Sequence, residues 1–256
     1  METKNIMIVG VGGQGTLLTS RILGGVMGNA GYQVKVSEVH GMAQRGGSVV
    51  TFVRYGDKVA EPIVEEGQAD VLIAFERLEA LRYANFLKKD GVLIVNDWRI
   101  DPISVVMGTA KYPENIIENL EKTHTVFRIN AMDEALKLGN SRVFNNIVLG
   151  MAARHMEFAR EDWIKVIEAK VPPKTVEINT KAFLVGYEKQ CWEIPERLFP
   201  EGFLRKPLFR NPISNGTPFS GKPFSETSFS ETHYLQNHTG AASRGACCSF
   251  RANMRC

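Results

Sequence analysis

The distribution of apolar residues in the first half of the chain predicts strands that alternate with helices. Nearly uninterrupted apolar runs occupy residues 5–9, 70–75 and 91–96, and an amphipathic segment at residues 78–88 separates the last two. Continuous apolar strands that alternate with helices are typical of a parallel sheet covered on both faces. We therefore expect an α/β, Rossmann-like fold with a mostly parallel sheet and helices on both of its faces.

Further elements follow from the same patterns. Residues 32–39 alternate apolar and polar side chains, residues 48–55 are rich in β-branched and aromatic side chains, and both segments are predicted to be strands. Residues 125–129 are expected to form one more strand. Beyond it the apolar spacing becomes helical, and the predicted C-terminal helices lie at residues 131–138, 143–156, 160–169 and 174–187.

The last quarter of the chain has a different composition. From Pro195 onward it holds six of the 11 prolines and seven of the 14 phenylalanines, without a helical or strand period. Such a segment buries too little apolar surface to offset its chain entropy, so we predict disorder. The chain accordingly divides into a folded domain at residues 1–190 and a tail at residues 191–256. A partner-binding role and an aberrant extension both stay open for this tail.

Charge and cysteine positions limit the chemistry of the folded domain. The chain carries a formal net charge of +3, but residues 193–256 hold eight Lys and Arg against five Asp and Glu, which leaves 23 of each sign elsewhere. The positive net charge therefore comes from the tail and indicates no nucleic-acid face on the folded domain, where no basic stripe is found, so we expect no nucleic-acid partner. All four cysteines lie at or beyond Cys191. The domain therefore has no thiolate for an iron–sulfur cluster or a cysteine-type zinc site, and we expect no metal on it.

The same features bear on the compartment. No apolar run is long enough to span a membrane, and the N-terminal residues lack the pattern of a signal peptide. Four late cysteines without a secretory signal favour a reducing compartment. We expect a cytoplasmic protein without a membrane partner.

A glycine-rich loop follows the first predicted strand and precedes a helical segment. Residues 10–15 read Gly-Val-Gly-Gly-Gln-Gly. Glycines permit a sharp turn and let backbone N–H groups approach a phosphate, with the positive end of the helix dipole behind them. A purely structural role in strand-to-helix packing stays open. The predicted diphosphate-binding residues are Gly10, Gly12, Gly13, Gln14 and Gly15.

A second glycine-rich loop, at residues 40–47, follows the strand predicted at residues 32–39. Arg45 offers a bidentate contact to a phosphate or carboxylate, or alternatively a structural ion pair with a neighbouring acid. His40 offers a proton or a hydrogen bond to a bound group, or alternatively a structural role. We predict that His40 and Arg45 are catalytic residues.

Glu38 keeps an alternative cofactor open. It stands near the end of the second predicted strand, where dinucleotide-binding proteins place a carboxylate on a ribose hydroxyl, so NAD is possible on this count. An ordinary nicotinamide enzyme has no use for the cationic glycine loop that follows. Glu38, Gly46 and Gly47 complete the predicted cofactor-binding residues.

Together the two loops resemble the gamma-type domain of the 2-oxoacid:ferredoxin oxidoreductases. The resemblance rests on residues 10–15, on Ser20 and residues 22–23 downstream, and above all on residues 37–49, which read Ser-Glu-Val-His-Gly-Met-Ala-Gln-Arg-Gly-Gly-Ser-Val. The latter motif is most similar to the indolepyruvate branch of the family. The resemblance covers residues 1–190, and the tail matches nothing in it.

The resemblance implies an enzyme subunit that is inactive alone. With a large partner subunit it would catalyse the oxidative decarboxylation of aryl pyruvates to aryl-acetyl-coenzyme A, with reduction of ferredoxin. The partner would bind thiamine diphosphate and [4Fe–4S] clusters, and this chain would share the site for coenzyme A. Consistently, no Gly-Asp-Gly precedes Asn145 and Asn146 at the distance of a thiamine-binding motif, and we interpret these asparagines as helix surface.

Three other functions stay open at this point. The chain could be a gamma subunit that serves pyruvate, 2-oxoglutarate or 2-oxoisovalerate, because the substrate pocket would lie mainly on the partner. It could also be a stand-alone NAD-dependent dehydrogenase, or a scaffolding subunit whose glycine loop holds no ligand.

Overall fold

A computed structural model describes residues 2–40 and 47–189 of the chain. The predicted site residues Arg45 and Gly46 lie outside the described residues, as do the side chain of His40 and the predicted tail at residues 191–256. The predictions made for them stay predictions.

One six-stranded sheet organises the described residues, with the strand order β2-β3-β1-β4-β5-β6. Strands β1, β4, β5 and β6 are parallel to one another, whereas β3 runs antiparallel to both β1 and β2. The α/β class is confirmed, and the sheet is mixed. Strands β2 and β3 are neighbours joined by a short connection. Such a connection can only form a hairpin, and the two strands of a hairpin are antiparallel. The strands are β1 (Lys4–Val11), β2 (Gln33–His40), β3 (Ser48–Gly56), β4 (Ala69–Ala74), β5 (Leu87–Asn96) and β6 (Thr125–Ile129).

Eight α-helices accompany this sheet in the described ranges, and most lie close to their predicted positions. The helix predicted at residues 78–88 is shorter than expected. It ends at Tyr83, a single 3₁₀ turn follows, and Leu87 pairs with Ala69 at the start of β5. The buried Leu87 side chain packs beside the sheet, which favours the extended conformation over another helical turn. The helices are α1 (Thr16–Asn29), α2 (Arg77–Tyr83), α3 (Ile103–Val106), α4 (Ile116–Leu120), α5 (Ala131–Lys137), α6 (Phe144–Ala153), α7 (Arg160–Lys170) and α8 (Val176–Glu188).

The sheet separates two hydrophobic cores. Successive strand residues point to opposite faces, so Ile6 and Ile8 pack toward α1 and α5 to α8, while Met7 and Val9 pack toward α2 and α4. This arrangement confirms the prediction of helices on both faces. Among the helices of residues 2–40 and 47–189, none is both long and apolar enough to cross a membrane.

Helices α6 and α8 meet at a seam where their backbones touch. A Cβ atom at Gly150 would lie 2.0 Å from the carbonyl oxygen of Phe183, and one at Gly186 would lie 1.8 Å from that of Ile147. Real Cβ atoms do not approach backbone so closely. Glycine is therefore required at both positions for packing alone.

The same seam corrects the interpretation of Asn145 and Asn146 as helix surface. Every residue of α6 is buried, and the two asparagines are only 4% and 0% exposed. The Nδ2 group of Asn146 donates a hydrogen bond of 2.5 Å to the Oδ1 atom of Asn179 on α8. Because α6 lies between the sheet and α8, its polar residues find partners inside the protein rather than in water.

Candidate functional site

The two glycine-rich loops leave the sheet at the same edge. The carboxyl ends of β1 and β2 and the start of β3 meet there, since Val11 pairs with Ser48 and His40 pairs with Val49. The backbone N–H group of Gly12 donates a hydrogen bond of 2.9 Å to the carbonyl oxygen of Gly47. This bond joins the first loop directly to Gly47, the last residue of the second loop.

The conformation of the first loop requires glycine at two of its positions. Gly13 has a φ angle of 95° and Gly15 has one of 88°, both in the left-handed region that L-residues rarely adopt. Their surroundings differ. A Cβ atom at Gly13 would meet no atom of the described residues within 4 Å, whereas one at Gly15 would lie 2.4 Å from the Nδ2 atom of Asn145. Gly13 therefore has open space around its Cα atom, whereas the absence of a side chain at Gly15 leaves room for the buried Asn145 side chain.

Gln14 and Gly10 are turned toward the protein interior. The Oε1 atom of Gln14 accepts a hydrogen bond of 2.6 Å from the N–H group of Val11, and its Nε2 group donates one of 3.2 Å to the carbonyl oxygen of Phe75. A Cβ atom at Gly10 would lie 2.8 Å from this Oε1 atom. Both residues thus shape the loop from within, and the backbone of Gly12 and Gly13 is the part that faces outward.

Helix α1 begins directly behind this loop and favours an anion. It is 14 residues long, its N-cap residue is Gly15, no side chain caps its first N–H groups, and its first turn holds no acidic residue. Uncapped N–H groups and the positive end of the helix dipole together attract negative charge. The first loop therefore fits a phosphate group chemically, with open backbone in front and an uncompensated helix N-terminus behind.

A polar network inside the sheet edge holds the adjoining strand ends together. The carbonyl oxygen of Phe75, which follows β4, accepts hydrogen bonds from Gln14 and from the Nδ2 group of Asn96 at the end of β5. The Oδ1 atom of Asn96 in turn accepts one from the N–H group of Ala131 at the start of α5. Asn96 is 0% exposed. This network connects the ends of β4 and β5 to the start of α5 beneath the candidate site.

The position of Glu38 weakens the NAD alternative. Its Oε2 atom accepts a hydrogen bond of 3.0 Å from the hydroxyl of Thr51, and β3 lies between β2 and β1. In a dinucleotide-binding fold, the strand that carries the ribose-binding carboxylate is the direct neighbour of the first strand. Here the intervening β3 moves Glu38 one strand further from the glycine loop.

A second polar cluster, which no sequence pattern predicted, lies beside Gly47. The hydroxyl of Ser48 donates a hydrogen bond of 2.5 Å to the Oε2 atom of Glu79 on α2 and lies 3.2 Å from the hydroxyl of Tyr83. The other carboxylate oxygen of Glu79 accepts a hydrogen bond of 2.9 Å from Arg82. Burial raises the pKa of the Glu79 carboxyl, against the lowering effects of Ser48 and Arg82.

Glu76, one turn before Glu79, fixes the neighbouring strand end. Its carboxylate accepts hydrogen bonds from the N–H groups of Leu78 and Ile100 and one of 2.5 Å from the hydroxyl of Tyr112. Burial, followed by the bond to Glu76, raises the pKa of Tyr112. These bonds anchor the segment after β5 to the start of α2. Within the described part of the chain, no group of three His, Cys, Asp or Glu residues is arranged to hold a metal ion.

Comparison with known proteins identifies the family. Residues 5–189 match the family model described as pyruvate ferredoxin/flavodoxin oxidoreductase. The chain is 47% identical over 190 residues to the indolepyruvate oxidoreductase subunit IorB of Archaeoglobus fulgidus, with 72% of this chain and 94% of that protein covered. It is 43% identical over 193 residues to the protein of the same name from Pyrococcus horikoshii, with 73% and 95% covered.

A solved structure agrees with these relatives. The gamma subunit of a keto/oxoacid ferredoxin oxidoreductase from Geobacter sulfurreducens superimposes with a TM-score of 0.55 at 27% identity, and the match covers 72% of this chain and 96% of that one. This chain thus shares its overall fold with an oxidoreductase subunit. The chain belongs to the pyruvate ferredoxin/flavodoxin oxidoreductase family, as a subunit of the 2-oxoacid:ferredoxin oxidoreductase type.

Proposed function

We propose that this chain is the subunit without iron–sulfur clusters of an oxidoreductase for indolepyruvate and other aryl pyruvates, and that its glycine loops hold part of coenzyme A. The observation that carries the proposal is the hydrogen bond from Gly12 to Gly47, because it joins the first glycine loop to the last residue of the second at the carboxyl edge of the sheet. The names of the relatives from Archaeoglobus and Pyrococcus support the choice of indolepyruvate.

The first loop would bind the diphosphate of coenzyme A. Gly12, Gly13 and Gly15 supply backbone at the N-terminus of α1, where no acidic side chain in the first turn repels an anion. The second loop would face the partner subunit, with His40 and Arg45 ordering the substrate carboxylate or the acyl group to be transferred. Holding two reactants in orientation can supply an effective molarity on the order of 10⁵ M or more.

The remaining chemistry would belong to the large partner subunit. In the proposed reaction the 2-oxoacid loses carbon dioxide, its acyl carbon forms a thioester with the sulfur of coenzyme A, and two electrons pass to ferredoxin. Thiamine diphosphate on the partner would supply the carbanion chemistry of decarboxylation, and [4Fe–4S] clusters on the partner would carry the electrons. The cysteines of this chain begin only at Cys191, which supports that division.

Reconstitution tests the proposal. The full chain, co-expressed with a candidate large subunit from the same organism, should purify as a brown, thiamine-containing complex. We expect this complex to reduce ferredoxin with indolepyruvate only when coenzyme A is present, and the chain alone to be colourless and inactive. Preference for pyruvate or 2-oxoglutarate would assign a different substrate branch. Reduction of NAD by the chain alone would contradict the proposal.

Arg45 provides a sharper test of the second loop. Arg45→Ala should lower kcat/KM of the reconstituted complex. The decrease should correspond to a loss of about 2 to 4 kcal/mol of transition-state stabilisation, as expected when one charged stabilising contact is removed. The matched control is Arg160→Ala, which removes an exposed arginine at the start of α7 that pairs with Glu161. Unchanged kinetics in Arg45→Ala would remove Arg45 from the site.

A further inference from the structure

The cluster beside Gly47 connects helix α2 to both glycine loops. Ser48 is the first residue of β3 and follows Gly47 directly, so its hydroxyl marks the point where the second loop re-enters the sheet. That hydroxyl donates a hydrogen bond of 2.5 Å to Glu79. Helix α2 thereby holds the downstream end of the second loop through a side chain that lies 31 residues further along the sequence.

The acceptor is a carboxylate that the protein shields from water. The Glu79 side chain is 3% exposed, and its two oxygens are divided between Ser48 and Arg82. Its own N–H group donates to Glu76, which fixes the turn of α2 that carries it. Hydrogen bonds to a charged acceptor are stronger than those between neutral groups, and a buried carboxylate that loses one has no water to replace it.

The connection continues from the second loop to the first. Ser48 pairs with Val11 across the β1–β3 ladder, and the carbonyl oxygen of the preceding Gly47 accepts the N–H group of Gly12. A shift of Ser48 would therefore move Gly47 and, with it, the backbone of Gly12 and Gly13. The chain of contacts runs from Glu79 through Ser48 and Gly47 to Gly12.

We propose that Glu79 and Ser48 are positioning residues, which hold the two glycine loops in the relative placement that coenzyme A binding requires. The inference rests on the function proposed above, but it concerns residues that contact neither substrate nor cofactor in that proposal. Glu79 acts through Ser48, and Ser48 acts through the backbone of Gly47.

The test uses two variants of the cluster and two controls. Glu79→Gln weakens the acceptor of the Ser48–Glu79 hydrogen bond with little change in side-chain shape, and Ser48→Ala removes its donor. Because either variant tests the same bond, the result can be read even if one of them folds poorly. Ser48→Thr keeps the hydroxyl. Asp70→Asn is the matched control, because Asp70 is also a mostly buried carboxylate and accepts bonds from the Asn5 N–H group and from Lys88 at the opposite end of the sheet.

The first readout is kinetic, on the reconstituted complex. We expect Glu79→Gln and Ser48→Ala to raise KM for coenzyme A about tenfold, the effect of one weakened hydrogen-bonded contact, while KM for the 2-oxoacid stays within about twofold. Ser48→Thr should retain the parent KM for coenzyme A, and Asp70→Asn should change neither KM. A purely structural cluster would lower the amount of active complex without this separation of the two KM values.

The second readout needs no activity. Amide hydrogen exchange at Gly12, measured on the full chain, should become about tenfold faster in Glu79→Gln and stay unchanged in Asp70→Asn. Unchanged Gly12 exchange in Glu79→Gln would overturn the inference, and so would faster exchange with an unchanged KM for coenzyme A. Failure of the proposed function can be told apart by a third variant. If the loops do not bind coenzyme A, Gly13→Val should leave the kinetics with coenzyme A unchanged, independently of the rate of amide exchange at Gly12.

Discussion

The glycines after β1 and the glycines between α6 and α8 have opposite surroundings. At Gly13 an added Cβ atom would meet no described atom within 4 Å, whereas at Gly186 it would lie 1.8 Å from a carbonyl oxygen. Gly13 is required by its backbone conformation, and Gly186 is required by the contact of two helix backbones. The same residue type therefore stands in open space in one region and in a closed seam in the other.

Gly15 shows that the two roles can coincide. It has the left-handed conformation of a loop glycine, and it also gives room to the buried side chain of Asn145 on α6. Helix α6 therefore packs against α8 at the seam, and its first turn also contacts the first glycine loop. A change in the seam could reach the loop by this route, whereas a change at Gly13 should remain local.

The largest expected effect on stability is at the seam. Gly186→Ala should lower the free energy of unfolding by more than about 3 kcal/mol, because the new methyl group overlaps the backbone of α6 and the helices must separate. Urea unfolding of the full chain measures this difference. The matched control is Gly28→Ala in α1, where an added Cβ atom has open space and the higher helix propensity of alanine should stabilise by about 0.5 to 1 kcal/mol. Equal stabilities of the two variants would contradict the closed seam.

Stability should also depend on pH, through His155, which follows α6. Burial, and secondarily Arg154, lowers the pKa of His155 to about 4 in the folded chain, and the ring lies 4.0 Å from that of Phe127. The unfolded chain takes up a proton near pH 6.5, but the folded chain does so only near pH 4. Stability should therefore fall by about 3 kcal/mol as the pH drops from above 6.5 to 4.

Urea unfolding at several pH values checks this dependence. His155→Phe should flatten the curve between pH 6.5 and 4, because the titrating group is gone and an aromatic ring still covers Phe127. His124→Gln, a change at the loop before β6, should keep the parent curve. Parallel curves for the parent and His155→Phe would show that His155 is not the group responsible.

A smaller loss of stability is expected where the loop meets the interior. Gln14→Ala should cost about 1 to 3 kcal/mol, because it leaves the Val11 N–H group without its acceptor and removes one donor from the Phe75 carbonyl oxygen. Gln33→Ala removes a more exposed amide that accepts one bond from Val59 and should cost less. Urea unfolding compares the two. An equal cost would mean that the inward bonds of Gln14 do not hold the loop.

The smallest effect on stability is expected at the open glycine. Gly13→Ala should cost only about 1 to 2 kcal/mol, the penalty for placing an L-residue at a φ angle of 95° with free space around it. Its effect on coenzyme A kinetics should nevertheless exceed that of Gly28→Ala, which lies away from the loop. A stability loss as large as that of Gly186→Ala would contradict the comparison between the two regions.

Much of the fold could be predicted from local pattern. Apolar runs revealed β1, β4 and β5, and the glycine loop between strand and helix identified the edge of the site. The pairing of β3 between β1 and β2 was not predicted, because periodicity gives the existence of a strand and not its neighbours. The position of β3 between β2 and β1 is what separates Glu38 from the first glycine loop.

For the candidate site, glycine spacing in the sequence indicated the backbone positions, whereas the side chains that support them were not predicted. Gly12 and Gly47 were recognised from glycine spacing, and they are in contact. Glu79 had no such signal, because its partner Ser48 is distant in sequence and a glutamate in a short amphipathic helix usually faces water. Asn145 was likewise assigned to the surface, because a polar residue in a helix usually faces water. Contacts between buried polar groups depend on how the elements pack, which a single sequence does not display.

Coenzyme A binding to the assembled complex tests the central claim most directly. Equilibrium titration should give a dissociation constant at least about tenfold weaker for Gly13→Val than for the parent, because a side chain at the open position blocks phosphate from the N-terminus of α1, while Gly28→Ala binds as the parent does. Equal affinity of Gly13→Val and the parent, in complexes of equal subunit content, would mean that the joined loops do not hold the cofactor.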